Sequence, residues 1–174
     1  MKISAILNRN GSDKCWSHSY QYFYDNLFDE NDREKKLDIL ESGVEYGPSL
    51  AAWKEFYPNA RVTGVDIIDL RKPEFKTDNV EFVLSDIKEY KPNRKFDIII
   101  EDGNHSNHDA IWAAVNLSRW LKLGGVLIIE DVQEGYMVPF ILWGKLNGNY
   151  IVETLDMRRL TNAHDNFLIV IRSV

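Results

Sequence analysis

The sequence lacks the features of a secreted, membrane-spanning or nucleic-acid-binding protein. Its 174 residues include one cysteine, Cys15, which excludes a disulfide within the chain. The N-terminus has no apolar core of a secretory signal, and no apolar run approaches the roughly 18 residues that span a bilayer. The 21 basic and 27 acidic residues give a net charge of -6, which disfavours nucleic acid and anionic membranes as partners. We therefore expect a cytoplasmic protein.

Short apolar strands alternate with helical patterns along the chain. Because most of these strands are too apolar to face water, the pattern predicts a doubly wound, mostly parallel sheet with helices on both faces. The last two strands are separated only by a loop, which predicts an antiparallel strand at the C-terminus. The predicted strands are 38–41, 61–66, 80–84, 96–101, 126–130, 150–155 and 167–171. The predicted helices are 16–28, 49–57, 106–121 and 132–146.

A glycine-containing turn follows the first predicted strand. Ligands of open α/β sheets bind beyond the carboxyl ends of the strands, where this turn lies. Glu41 places a carboxylate at the strand end. Gly43 and Gly47 allow the backbone to approach a ligand or to adopt positive φ. By itself, this turn is equally consistent with an ordinary tight turn.

Two more carboxylates end the next two predicted strands. Asp66 lies 25 residues after Glu41, at a place where an acidic side chain can accept both hydroxyls of a ribose. Asp86 follows the third strand, where it could bond the exocyclic amine of a base. Aspartates at strand ends also cap helices. Three strand-end acids together with the glycine turn nevertheless favour a nucleoside ligand.

The charge of the turn indicates which nucleoside it suits. A dinucleotide fold uses G-x-G-x-x-G before a helix that faces a pyrophosphate. Here Glu45 replaces the middle glycine and Glu41 precedes the turn, so negative charge would repel a pyrophosphate. The same charge suits S-adenosylmethionine, which carries an ammonium and a sulfonium. NAD stays open as an alternative cofactor.

A second group of polar residues follows two later strands. Asp102 and His105 come after strand 96–101, and Asp131 comes after strand 126–130. If these strands are neighbours, about 4.8 Å apart, the two carboxylates can bind one cation. Hard oxygen ligands suit Mg²⁺ better than zinc. His105 could then accept a proton from a metal-bound hydroxyl, since its ordinary pKa lies near neutrality. The alternative is that Asp102 and His105 only cap the following helix.

Together these motifs resemble class I S-adenosylmethionine-dependent methyltransferases, and more narrowly the metal-dependent O-methyltransferases typified by the macrocin and mycinamicin sugar enzymes. The resemblance extends over most of the chain, and the order and spacing of its motifs are specific. Glu45 departs from the family, which usually has glycine at that place. The matching motifs are residues 11–14 with 18–20, 41–49, 102–105, 123–125, 129–131, 156–159 and 165–166.

The resemblance implies a Rossmann-like, seven-stranded methyltransferase domain over residues 1–174, with an N-terminal helical segment, 1–30, packed on the cofactor side. It implies S-adenosylmethionine-dependent O-methylation of a small hydroxylated acceptor such as a sugar. Asp102 and Asp131 would bind Mg²⁺, and His105, with Asp102, would be catalytic, His105 as the general base. The predicted cofactor-binding residues are Asp13, Lys14, Glu41, Gly43, Gly47, Asp66, Asp86 and Asp102.

The resemblance leaves several properties open. It does not identify the acceptor, and the oligomeric state, including a homo-oligomer, is undecided. The alternative functions are a non-catalytic domain that binds S-adenosylmethionine or another nucleoside, and a different reaction on the same cofactor.

Overall fold

A computed structural model describes residues 1–77, 79–133, 141, 143–145, 148–161 and 165–174. The chain divides into two compact units, Met1–Tyr90 and Lys91–Val174. The strands are β1 (Asp38–Ser42), β2 (Arg61–Asp66), β3 (Val80–Leu84), β4 (Phe96–Glu101), β5 (Leu121–Val132), β6 (Tyr150–Asp156) and β7 (Phe167–Ser173). The described α-helices are α1 (Ile3–Asn10), α2 (Asp13–Trp16), α3 (Gln21–Leu27), α4 (Pro48–Phe56), α5 (Asn107–Leu117) and α6 (Arg158–Thr161).

The sheet confirms the predicted fold class. Its seven strands have the order β3-β2-β1-β4-β5-β7-β6. The pairs β1–β2, β2–β3 and β4–β5 are parallel. Strand β7 runs antiparallel to β5 and β6, as predicted for the C-terminus. Among the described residues, no helix combines the length and the hydropathy needed to cross a membrane.

In the first unit, helix α4 packs closely on strand β2. A Cβ atom added at Gly64 would lie 2.7 Å from Leu50 Cδ2 and 2.8 Å from Val44 Cγ2. Side chains cannot approach this closely, so glycine is required for α4 and the loop before it to lie against β2. Trp53 of α4 is fully buried and stacks obliquely on Tyr24, with 5.2 Å between ring centroids. The aromatic N-terminal segment thus packs on α4.

The predicted N-terminal helix over 16–28 is interrupted. Helix α2 ends at Trp16, α3 begins at Gln21, and Ser19 between them has a φ of 58°. The backbone N–H of Tyr20 donates to the carbonyl of Lys14, at 2.7 Å, and closes the break. A left-handed residue cannot continue an α-helix, so the segment folds as two short helices.

In the second unit, β5 begins five residues earlier than predicted. The motif over 123–125 lies inside this strand. Gly124 has a φ of 78°, and a Cβ at Gly125 would lie 2.9 Å from the Lys122 carbonyl. The two glycines therefore form an irregularity within the strand rather than its start. Helix α5 ends at Leu117, short of its predicted end, and a 3₁₀ turn follows. The predicted helix over 132–146 lies mostly outside the described residues, and its first residue, Val132, ends β5.

Candidate functional site

The loop between β1 and α4 contains three residues with left-handed backbone. The φ angles are 81° at Gly43, 47° at Glu45 and 92° at Gly47. Glycine adopts such angles freely, whereas an L-residue with a side chain is strained there. Glycine would adopt the conformation of Glu45 with less strain.

Replacing Glu45 by glycine should stabilise the protein. Relief of the left-handed strain outweighs the extra chain entropy of glycine, so Glu45→Gly should raise the free energy of unfolding by about 0.5 to 1 kcal/mol. Urea denaturation measures this difference. Tyr46→Gly in the same loop is the control and should lower stability, because Tyr46 is outside the left-handed region. A less stable Glu45→Gly variant would show that contacts of the Glu45 side chain outweigh the strain.

Asp66 lies at the end of β2, as predicted, and it holds the loop. Its Oδ2 atom accepts hydrogen bonds from the backbone N–H groups of Val44, at 2.7 Å, and Glu45, at 3.1 Å. Its Oδ1 atom accepts from the N–H of Ile68 at 3.2 Å. A carboxylate offers about four acceptor positions, so these three hydrogen bonds leave about one position, on Oδ1, for a ribose hydroxyl. The sequence did not indicate that this carboxylate also fixes the loop.

Glu41 is fully buried at the end of β1. Its Oε2 atom accepts a hydrogen bond from Trp53 Nε1 at 3.1 Å, and its Oε1 atom lies 3.8 Å from Lys14 Nζ. Lys14 is 2% exposed, so two residues that were predicted to bind the cofactor form an ion pair inside the first unit. The negative charge that was expected to attract a cationic ligand is thus offset by Lys14.

Two other predicted cofactor ligands lie nearer the surface. Asp13 begins α2 with a side chain 48% exposed, and its Oδ2 atom is 4.0 Å from His18 Nε2. Asp86 is exposed after β3, and its Oδ1 atom accepts from the N–H of Lys88 at 2.9 Å. Asp86 therefore stabilises a turn. The cofactor-binding roles of Asp13 and Asp86 stay predictions.

In the second unit, Asp102, His105 and Asp131 converge as the sequence predicted. His105 Nε2 lies 3.2 Å from Asp102 Oδ1 and 3.2 Å from Asp131 Oδ2. One ligand atom from each residue lies within 4.8 Å of the others, a spacing that could hold a metal ion. The two carboxylates meet because β4 and β5 are parallel neighbours whose carboxyl ends share one edge. Asp131 is 3% exposed and His105 is 44% exposed, so the group is accessible from the histidine side.

Two members of this group have strained backbones. The φ angles are 37° at His105 and 53° at Asp131, both in the left-handed region. Strain of this kind concentrates at functional sites, where the surrounding structure imposes it.

The charges around His105 favour its protonated form. The hydrogen bond with Asp102 and the charge of Asp131 raise the pKa of His105 to about 9, although burial opposes the shift. The imidazolium thus lies between the two carboxylates at neutral pH. Because a divalent cation would compete for the same carboxylates, its binding favours the neutral imidazole, which is the form that can act as a base.

Glu101 is a further acid of this group, which the sequence analysis missed. It is 6% exposed, and its Oε1 atom accepts from the N–H of Gly103 at 3.3 Å. Burial and the charge of Asp102 raise the pKa of Glu101 to about 7. A carboxylate that ends an otherwise apolar strand was the signal that could have identified it.

The raised pKa of Glu101 predicts a pH-dependent stability. Since the pKa is higher in the folded state than the ordinary 4.5, the stability it contributes is complete below that value and is lost as pH rises through about 7. Glu101→Gln removes this loss and should be more stable than the wild type at pH 8, by on the order of 2 kcal/mol. Below pH 5 the difference should shrink. Denaturation at both pH values measures it, with the exposed Glu89→Gln as control. An equal difference at both pH values would contradict the assignment.

The sheet and the strand-end acids define an α/β domain of the nucleotide-cofactor-binding class. A family described as "Methyltransferase domain" matches residues 5–132, and the chain belongs to this family. This confirms the resemblance inferred from the motifs.

Curated relatives include two sugar O-methyltransferases. The chain is 30% identical over 152 residues to 8-demethyl-8-alpha-L-rhamnosyl tetracenomycin-C 2'-O-methyltransferase of Streptomyces olivaceus, covering 79% of this chain and 39% of that protein. It is 30% identical over 138 residues to mycinamicin VI 2''-O-methyltransferase of Micromonospora griseorubida, covering 71% of this chain and 34% of that protein. The chain therefore spans less than half the length of these relatives.

The fold is also similar to a solved methyltransferase structure. MycE methyltransferase from the mycinamycin biosynthetic pathway, in complex with Mg, SAH and mycinamycin VI, superimposes with a TM-score of 0.75. The sequences are 21% identical, and the match covers 99% of this chain and 54% of MycE. This likeness establishes a shared fold.

Proposed function

We propose that this chain is an S-adenosylmethionine-dependent O-methyltransferase that uses Mg²⁺ and acts on a small hydroxylated acceptor such as a sugar. The observation that carries the proposal is the position of His105 Nε2, 3.2 Å from a carboxylate oxygen of both Asp102 and Asp131. A base and two hard oxygen ligands in one group suit the deprotonation of a metal-bound hydroxyl. Family membership, the named activities of the relatives and the ligands of MycE support it.

The donor set fits Mg²⁺, because it consists of two carboxylates with a partly exposed side that can admit water or an acceptor. Asp102 and Asp131 would hold the ion. When bound, Mg²⁺ would stabilise the negative charge that develops on the acceptor oxygen. His105 would accept the hydroxyl proton at Nε2, and the carboxylates of Asp102 and Asp131 would then stabilise the imidazolium that forms.

The residues of the first unit would bind the methyl donor. S-adenosylmethionine would supply the activated methyl group. Asp66 would bind a ribose hydroxyl through Oδ1, and the loop that contains Gly43 and Gly47 would approach the amino-acid end. The products would be the methylated acceptor, S-adenosylhomocysteine (SAH) and the proton accepted by His105. Much of the rate enhancement would come from alignment of the reacting atoms.

A non-catalytic nucleoside-binding domain is the alternative function. The constellation of Asp102, His105 and Asp131 favours the enzyme, because a binding domain needs no general base beside a metal site. The single-domain organisation over 1–174, the cytoplasmic location and the oligomeric state stay predictions.

The role of Asp66 tests the cofactor assignment. Asp66→Ala should weaken S-adenosylmethionine binding by about 1.5 to 3 kcal/mol, because it removes a charge-assisted hydrogen bond to the ribose and the acceptor for the loop N–H groups. Isothermal titration calorimetry measures the change. Asp66→Asn keeps one side-chain oxygen that can accept from the loop N–H groups, so its affinity for S-adenosylmethionine should fall less.

The matched control is Asp69→Ala, just beyond the same strand. The Asp69 carboxylate pairs with Arg71 and Lys76, so its removal should leave the affinity unchanged. Equal affinity of wild type and Asp66→Ala would place the ribose elsewhere. A wild-type protein that binds neither S-adenosylmethionine nor SAH would refute the proposed function.

A further inference from the structure

A lysine and a glutamate face each other in the interior of the first unit. The side chains of Lys14 and Glu41 are 2% and 0% exposed, and Lys14 Nζ lies 3.8 Å from Glu41 Oε1. Burial of two charges is costly even when they are paired. Lys14 belongs to the N-terminal motif over 11–14, and Glu41 ends β1, directly before the glycine loop. The N-terminal motif is therefore tied to the base of that loop.

The carboxylate of Glu41 connects the two ends of the loop. Its own backbone belongs to β1, where the loop begins. Its Oε2 atom accepts from Trp53 Nε1, and Trp53 belongs to α4, where the loop ends. Any shift of α4 relative to the end of β1 would stretch this 3.1 Å hydrogen bond. Glu41 thus helps to fix the distance between the end of β1 and α4, which the loop connects.

The loop itself needs support, because three of its residues are left-handed and Glu45 is strained. Asp66 holds the middle of the loop through the N–H groups of Val44 and Glu45. Glu41 holds its ends. The loop therefore has two carboxylate braces, Asp66 and Glu41, and Lys14 lies beside the buried one.

We propose that Lys14 and Glu41 are positioning residues of the cofactor site: Glu41 braces the two ends of the glycine loop, and Lys14 supplies the counter-charge that keeps the buried carboxylate in place. The N-terminal motif thus contributes to cofactor affinity without contacting the cofactor. This inference rests on the proposed binding of S-adenosylmethionine by this loop.

Three variants test the brace, with SAH as the probe and calorimetry well below each unfolding midpoint. Lys14→Met leaves the carboxylate without its counter-charge and should weaken SAH binding at least about tenfold. Trp53→Phe keeps an aromatic ring but removes the N–H donor, and it should weaken SAH binding by a similar factor. Lys14→Met/Glu41→Gln replaces the ion pair by neutral groups, and the amide oxygen at position 41 can still accept from Trp53. This double variant should recover to within about threefold of the wild type.

The control is Lys54→Met, a lysine substitution on α4 away from the loop. Lys54 Nζ donates to the carbonyls of Pro58 and Ala60, so its loss should leave SAH affinity unchanged. A purely structural ion pair would lower the unfolding midpoint in Lys14→Met without changing the SAH affinity of the folded protein. The affinity of the folded protein therefore separates the two roles.

Wild-type affinity in a folded Lys14→Met or Trp53→Phe variant would overturn the inference while leaving the proposed function intact. The inference would also be overturned if the SAH affinity of the double variant did not recover. If Lys14→Met does not fold, the SAH affinities of Trp53→Phe and of the double variant test the inference. A double variant that also fails to fold would show that the ion pair serves folding alone. A wild-type protein that does not bind SAH would instead refute the proposed function.

Discussion

Asp131→Asn should abolish the dependence of methyl transfer on Mg²⁺ and lower turnover about 10³-fold. The amide is a weaker ligand than the buried carboxylate, and a catalytic metal contributes several kcal/mol to the stabilisation of the transition state. Asp102→Asn should behave similarly. Initial rates with S-adenosylmethionine and a hydroxylated acceptor on which the wild type is active, measured across a Mg²⁺ titration, would show the change.

Cofactor binding distinguishes loss of the metal site from loss of the fold. SAH affinity should stay near that of the wild type in Asp131→Asn, because this substitution leaves every predicted cofactor-binding residue unchanged. Asp97→Asn is the matched control: Asp97 lies on β4 and pairs with Lys122 Nζ at 2.7 Å, away from the strand end. Wild-type turnover in excess EDTA would contradict the proposed metal-assisted mechanism.

His105→Ala should slow methyl transfer by roughly 10² to 10⁴-fold, the usual contribution of a positioned general base. The variant should still bind Mg²⁺, because both carboxylates remain and the imidazolium that competes with the ion is gone. The rate deficit should shrink as pH rises and the acceptor hydroxyl ionises without help. Rates between pH 6 and 10, with Mg²⁺ binding followed by calorimetry, would test all three expectations.

His108→Ala controls for the loss of a nearby histidine. His108 lies on the first turn of α5 with a side chain 88% exposed, so its removal should not affect turnover. Normal turnover of His105→Ala would exclude His105 as the base. A catalytic role for positioning alone would then be the better account.

The strands and the meeting of Asp102 with Asp131 were predictable from the sequence. Short runs of apolar residues bounded by polar ones can be recognised as strands from the sequence. The predicted bounds 61–66, 80–84 and 96–101 match β2, β3 and β4. Parallel neighbours then bring the residues after their carboxyl ends to one edge. This inference needs only the order of residues along the chain.

Local backbone conformation was less predictable. Helix α1 was not identified from its periodicity, although its buried residues Ile3, Ile6 and Leu7 have helical spacing. Only the family resemblance implied a helical segment there, over 1–30. The left-handed conformation of Glu45 was missed because glutamate does not favour it, and only the surrounding structure imposes the strain.

The sequence by itself therefore determined the fold class and the convergence of Asp102, His105 and Asp131, because strand periodicity and strand-end position are properties of the chain order. Only the tertiary structure decided which charges meet in the interior. Lys14 and Glu41 are both charged and distant in sequence, and nothing local distinguishes a buried pair from two exposed side chains. Likewise, the binding of loop N–H groups by Asp66 depends on how the chain turns back beside β2. Interactions of this kind depend on distances between residues that are far apart in the sequence. The pattern of residue types along the chain does not contain those distances.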